Sequence, residues 1–237
     1  MKKILGILGG MGPAATADLF TKIVSMTEAG SDAEHIRVII DSNSAIPDRT
    51  AAILSGGKDP VPEMLSALGN LEKCGAGCVI LPCNTAHYFL PRLRSETSIP
   101  ILNMPEAAAK RCAELYPGKK AAVLATVGTL STGLYDAALA VAGVPFLLPD
   151  DSERETLMYL IYDVVKASGP MAPERERWRG LLDGLRAKGA EVFILGCTEL
   201  PILSEALDVP GPFIDPTAEL ARAAIEFCGY KVREQKR

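Results

Sequence analysis

Val79 to Phe89 reads VILPCNTAHYF, and this stretch decides the fold. An apolar run leads into Cys83, and Asn84 and Thr85 follow at once, residue types that cap the start of a helix. The pattern predicts a strand, a tight turn and a helix, with Cys83 at the positive end of the helix dipole. Free N–H groups and the dipole stabilise a thiolate there, so such a thiol can lose its proton near neutral pH. A lone cysteine in this setting reads more simply as a buried residue at a strand end. His87, four residues on, lies one helical turn away, where it either influences the thiolate or packs and hydrogen-bonds locally.

Cys83 has a counterpart. Phe193 to Leu203, FILGCTELPIL, repeats the design: Gly75-Ala76 answers Gly189-Ala190, Ile80-Leu81 answers Ile194-Leu195, and Cys83 answers Cys197, all at an offset of 114 residues. Lys120 to Thr129 (KAAVLATVGT) echoes Lys3 to Gly12 (KILGILGGMG) at an offset of 117. One building unit is carried twice, with a cysteine in the same place in each copy.

Length agrees with this. A chain of 237 residues is comfortable as two domains of roughly 110 residues each. Hydrophobic residues at 48% and charged residues at 23% describe an ordinary soluble globular protein. The net charge of −4 is mild, and Lys and Arg are scattered apart from a basic tail, 231–237, expected to fray. Nucleic acid would need a basic face, which the sequence lacks. No apolar run reaches the length of a membrane span, and the opening Lys2 to Gly9 is too short for the core of a signal peptide, so the expected location is the cytoplasm. The six cysteines are expected there as reduced thiols. Cys74 and Cys78 lack a second cysteine pair and enough histidines for a zinc site, so no metal is expected. With Cys112 and Cys228 they read as packing residues.

From its start the chain alternates strand and helix. Lys3 to Leu8 is an apolar run, followed by the turn Gly9-Gly10-Met11-Gly12-Pro13 and a helix over 14–29. Gly10 to Ala15 formally fits the G-x-G-x-x-A dinucleotide fingerprint, but the acidic residue belongs about twenty positions on. Here Asp41 ends the next strand, 36–40, some thirty residues after Gly10. The better reading is that the glycines let backbone approach a small carboxylate held by N–H groups. Arg49, in the polar loop 41–50, is either a fork for a substrate carboxylate or a solvated arginine paired with Asp48. A helix is expected over 63–73, a strand and Pro turn over 99–105, and a helix over 106–115. In the second half, Thr126, Gly128, Thr129 and Thr132 offer hydroxyl and backbone donors. Further on come a strand at 144–148 and helices over 155–166, ending in Lys166, and 173–188, bearing Trp178. After Cys197 the segment 209–218 mirrors 99–105, and a helix closes the pattern over 217–228.

Alternation of this kind argues for α/β architecture, a doubly wound parallel-sheet domain in each half; if the two pseudo-symmetric domains face one another, Cys83 and Cys197 look at each other across one cleft, which would hold the active site. The expected division is 1–103, completed by 209–237, and 104–208. Ligands of such sheets bind outside the carboxyl ends of the strands, where both cysteines, both small-residue turns and the Asp48-Arg49 loop fall. Two identical groups facing one another suit a reaction whose substrate and product are mirror images. A thiolate on one side pulls a proton from a tetrahedral carbon, and a thiol on the other returns one to the opposite face. Charge developing on the substrate's carboxylate must be met by preorganised donors, for which Asn84, Thr85, Thr198 and the helix-start N–H groups are candidates. Helix capping alone would also account for Asn84 and Thr198.

On the GILGGMGP opening, the SNSAIPDRT loop, the PCNTAH motif and the GCTEL motif, the chain resembles the aspartate/glutamate racemase family over essentially its whole length, and most closely the aspartate racemase branch. The resemblance implies two α/β domains around a cleft, racemisation without a cofactor with Cys83 and Cys197 as the acid/base pair, and a homodimer. Carried over position by position, it implies that Asp48, Arg49, Thr50, Asn84, Thr85, Ala86 and Lys166 lie on the substrate side, and Met11, Thr129, Thr198 and Glu199 are expected there with them. Glu199 stands where the glutamate racemase branch tends to carry His, which favours the aspartate-like branch. The expected partner is a small amino acid, aspartate or glutamate. Alternatives are a maleate-type cis–trans isomerase, in which one thiol adds to a double bond, and a non-catalytic amino-acid-binding protein. A thiol redox role would want a C-x-x-C pair that is absent.

Overall fold

The computed structural model describes residues 2–233. The order is β1 Leu5–Gly9, α1 Pro13–Met26, β2 Val38–Ser42, α2 Arg49–Leu54, α3 Val61–Lys73, β3 Cys78–Ile80, a 3-10 turn Thr85–Phe89, α4 Leu90–Arg94 and α5 Met104–Leu115. There follow β4 Ala121–Leu124, α6 Val127–Ser131, α7 Leu134–Ala142, β5 Phe146–Leu147, α8 Asp151–Tyr159, a π-helical run Leu160–Lys166, α9 Arg175–Ala187, β6 Val192–Leu195, α10 Glu199–Leu207, β7 Phe213–Ile214 and α11 Pro216–Phe227. The chain divides into two compact units, 1–104 with 217–237, and 105–216.

The first unit is built on a parallel sheet of order β2-β1-β3, with Val79 also bridging Ile101 in parallel. Alternation along the strands divides the side chains between two layers. Leu5, Ile7, Cys78 and Ile80 meet Leu19 and Ile23 of α1 and Leu220, Ala224 and Ile225 of α11. Leu8, Val79 and Leu81 meet Met64, Leu68 and Leu71 of α3 and Leu93 of α4. α3 buries Met64, Ala67, Leu68 and Leu71, one apolar stripe of a 3.6-residue period.

The second unit has order β5-β4-β6-β7, again all parallel. Ala122, Leu124, Phe193 and Leu195 pack with Leu157, Trp178, Leu182, Leu185, Leu200 and Leu203. Val123 and Ile194 pack with Cys112, Tyr135 and Leu139. Its strand order matches that of the first unit when the Ile101 bridge takes the place of β7, so the repeat seen in the sequence is a repeat of topology. The chain is an α/β protein of two parallel-sheet domains.

Several expectations are corrected. Residues 209–216, read with the first domain, run in the second unit, where Phe213–Ile214 pairs with β6. α8 begins at Asp151 rather than residue 155, because Asp150 and Glu153 form a capping box. The polar loop after β2 ends in a helix, α2, whose first turn is capped by Asp48. Cys74 is exposed, whereas Cys78, Cys112 and Cys228 are buried. In the tail, Val232 bridges Thr27 in antiparallel fashion, so 231–233 is not frayed; 234–237 lies outside the described residues.

Candidate active site

In the first unit the strand order reverses between β1 and β3, the kind of switch point at which open α/β sheets bind ligands. The turn after β1 rests directly on the loop after β2. Gly10 has φ +91°, and a Cβ there would come within 2.3 Å of the Asn43 backbone. Its N–H donates to Thr16 Oγ1 at 2.9 Å. Arg49, 7% exposed, ties the two loops together: its guanidinium donates to the carbonyls of Met11 at 2.8 Å, Pro47 at 2.9 Å and Ile46 at 3.3 Å. Asp48, on the surface, accepts from the Ala51 N–H at 2.7 Å as the cap of α2, and Thr50 follows half-buried. Met11, Asp48, Arg49 and Thr50 are thereby gathered where the turn after β1 meets the start of α2.

Cys83 is 7% exposed and lies three residues beyond β3. Asn84, Thr85 and Ala86 are buried beside it in sequence. The expected α-helix behind the thiol is replaced by the short 3-10 turn, and the Asn84 side chain makes no capping bond. Pro91, at the start of α4, has no N–H to give to the His87 carbonyl, which instead accepts from Leu90 in the tighter i→i−3 pattern. Cys83 therefore has less of a helix dipole behind it than the sequence pattern implies.

His87 holds this turn in place. It is buried, its Nδ1 lies 2.8 Å from the Cys83 carbonyl oxygen, and its Nε2 accepts from the Met104 N–H at 3.0 Å. An accepting Nε2 puts the ring proton on Nδ1, which donates to Cys83. Burial pushes the His87 pKa down to about 4. Of the two roles read from spacing, the local one is the one seen: the ring secures the Cys83 backbone.

The second unit presents its own cysteine after β6. Thr126 caps α6 by accepting from the Thr129 N–H at 3.2 Å, and the two hydroxyls lie 3.2 Å apart. Cys197, 7% exposed, donates its thiol proton to Glu199 Oε2 at 2.9 Å. Thr198, at the start of α10, sends its hydroxyl to the same oxygen at 3.1 Å and makes no capping bond. Lys166, at the end of the π-helical run, brings its Nζ to 3.7 Å from Glu199 Oε1 and 4.8 Å from the Tyr162 ring centre. Tyr135 lies under the turn, its ring 3.1 Å from where a Gly196 Cβ would stand.

At Cys197 this corrects the expectation that a helix start lowers the thiol pKa. Burial, then the Glu199 charge, push the Cys197 thiol well above its ordinary range, and Lys166 opposes them. The Cys197–Glu199 bond and the Met104 contact of His87 were not read from the sequence. An acidic residue two places past a strand-end cysteine was the only available signal for the first.

The sequence profile of the family described as Asp/Glu/hydantoin racemase matches residues 8–224. The chain is 27% identical over 227 residues to the broad specificity amino-acid racemase RacX of Bacillus subtilis, an alignment covering 94% of this chain and 96% of that protein. It is 28% identical over 198 residues to a glutamate racemase of Desulforudis audaxviator, covering 80% and 71%. Among solved structures, the aspartate racemase of Picrophilus torridus superposes with a TM-score of 0.82 at 29% identity, over 98% of this chain and 96% of that one. The relatives that this chain matches along its length are racemases, and racemases are isomerases. The chain belongs to the Asp/Glu/hydantoin racemase family.

Proposed function

We propose that the chain is a cofactor-independent amino-acid racemase acting on aspartate or glutamate, with Cys83 and Cys197 as a two-base pair on opposite faces of Cα. One observation carries the reading: both units share a strand order, and each has a cysteine less than a tenth exposed just past the carboxyl end of its third strand. In the reaction, the thiolate on one face takes the Cα proton, forming S–H as C–H breaks. The electron pair passes toward the substrate carboxylate, and the thiol on the other face then gives up its proton to Cα. Equivalent groups on both sides allow the reaction to run both ways.

An acidic substrate is favoured by Lys166, the cation beside the Cys197 turn, and by the likeness to an aspartate racemase, while Arg49 acts through the loops whose carbonyls its guanidinium holds. The Asn84 amide, the Thr85 and Thr129 hydroxyls and the Thr198 N–H serve as donors to charge that develops on the substrate carboxylate, the Thr198 hydroxyl being given to Glu199. Met11, Asp48, Thr50 and Ala86 complete the substrate side of this reading. It extends, on the family resemblance, to a homodimer working in the cytoplasm.

The test is a panel of L- and D-amino acids incubated with the protein in heavy water, followed by chiral chromatography and mass spectrometry. Aspartate or glutamate should invert with deuterium appearing at Cα. Cys83→Ala and Cys197→Ala should each slow inversion by about 10²–10⁴-fold, the usual weight of a general acid or base, with circular dichroism unchanged. Inversion that survives either substitution, or no deuterium at Cα of any amino acid, would sink the proposal.

A further inference from the structure

We infer that Glu199 is a positioning residue that keeps Cys197 in its thiol form between turnovers, so that Cys197 is the proton donor of the resting enzyme. The inference rests on the racemase reading for its role in turnover, but the contact itself does not depend on that reading.

The geometry is that of a buried thiol with a dedicated acceptor. Glu199 is 6% exposed, and its Oε2 accepts from both Cys197 Sγ at 2.9 Å and Thr198 Oγ1 at 3.1 Å. The other oxygen faces Lys166 Nζ at 3.7 Å. Both carboxylate oxygens therefore face donors of the protein's own, which sets Glu199 against the thiol rather than first against a substrate. The carboxylate also makes ionisation of its neighbour costly, since a Cys197 thiolate would be a second anion at hydrogen-bond distance in a buried setting. Lys166 is the group that offsets this when Cys197 has given its proton away.

The other groups facing Cys197 reinforce the assignment. Tyr135, from α7, is fully buried, and burial, Asp215 and Cys197 together push its hydroxyl well above the ordinary range, so it faces Cys197 as a neutral phenol. Charged groups coupled to the thiol are thus Glu199, which disfavours the thiolate, and Lys166, which favours it. In one direction of the reaction the bond S–H at Cys197 breaks as C–H forms, leaving a thiolate between those two. In the other direction the same thiolate must already be present to accept the Cα proton. Glu199 thus biases the empty enzyme toward one of its two protonation forms.

Alkylation of each cysteine by iodoacetamide, resolved by peptide mass spectrometry across pH in the substrate-free protein, reads this directly. Glu199→Gln should raise the Cys197 alkylation rate at pH 8 by about tenfold or more, one unit of thiol pKa being a factor of ten in thiolate. Glu199→Asp, which keeps the charge, should fall between Gln and the parent. Lys166→Met removes the opposing charge and should slow the same reaction, which keeps the test open if the Gln variant folds poorly. If Cys197 reacts in Glu199→Gln as in the parent, or faster in Lys166→Met, the inference is overturned. Because the thiol itself is read, a protein that inverts no amino acid but shows these opposite shifts retains the inference and loses only the racemase reading. Where inversion is present, Glu199→Gln should lower kcat more than it changes KM.

Discussion

The Nδ1–H of His87 is bonded to the Cys83 carbonyl at 2.8 Å, so the residue that bears one candidate thiol is held through its backbone by a neutral ring. Burial lowers the folded-state pKa of His87 to about 4 from 6.5. The unfolded chain therefore binds a proton that the folded one refuses between those values. The His87 contribution is complete above pH 6.5 and is lost progressively as pH falls toward 4. A displacement of that size is worth about 3 kcal/mol. Urea denaturation followed across this window should show stability falling with acidity, and His87→Gln should flatten that dependence. At pH 7.5 the variant should cost about 2 kcal/mol through a buried donor or acceptor left unmatched.

Gly10 lies where no side chain fits. Its φ of +91° is left-handed, and a Cβ would strike the Asn43 backbone at 2.3 Å. Gly10→Ala should cost at least about 2 kcal/mol and lower turnover as well, because the loop pushed aside leads to Arg49. Thermal denaturation and the inversion assay check the two effects, and Gly12→Ala is the control, since nothing lies within 4 Å of its added Cβ.

Arg49 serves three backbone carbonyls from a buried position, with two nitrogens that a lysine cannot reproduce. Arg49→Lys should destabilise the protein by about 2–3 kcal/mol even though charge is kept. Denaturant midpoints read this directly. A stability equal to the parent's would show that the loop stands without the fork.

Trp178 is the single tryptophan and is fully buried beside Phe213, its ring centre 6.4 Å away. Its indole N–H has no hydrogen-bond partner among the described residues. Trp178→Ala should therefore cost about 3–5 kcal/mol, whereas Trp178→Phe, which discards the unmatched donor with part of the volume, should cost under about 1.5 kcal/mol. Fluorescence of the parent should shift to the red when the second unit unfolds, since the reporter lies in that unit's core.

Much of the architecture was legible because its signals are local. Apolar runs such as Val79–Leu81 and Phe193–Leu195, each ending at a small-residue or cysteine turn, fixed both the strands and the repeat. The stripe Met64, Leu68, Leu71 gave α3. What escaped depended on contacts between distant residues. Nothing in Leu160–Lys166 distinguishes a π-helical run from the α-helix expected there. The 3-10 turn after Cys83 was readable in principle from Pro91, and α2 from Asp48 as a cap. At the site, the positions of both cysteines could be read from sequence, but their surroundings could not. The sequence repeat invites equal treatment of the two thiols; the structure gives Cys83 a histidine on its backbone and Cys197 a carboxylate on its sulfur.

The division of the chain has a consequence for synthesis on the ribosome. The second unit is one uninterrupted segment, 105–216, and has all its strands and helices once that segment has emerged. The first unit has none of α11 until residues beyond 216 are made, and until then Leu5, Ile7, Leu19 and Ile23 lack Leu220, Ala224 and Ile225 as a cover. The half translated first is thus the half completed last, and a nascent chain stalled near residue 216 would expose the apolar layer that a chaperone recognises.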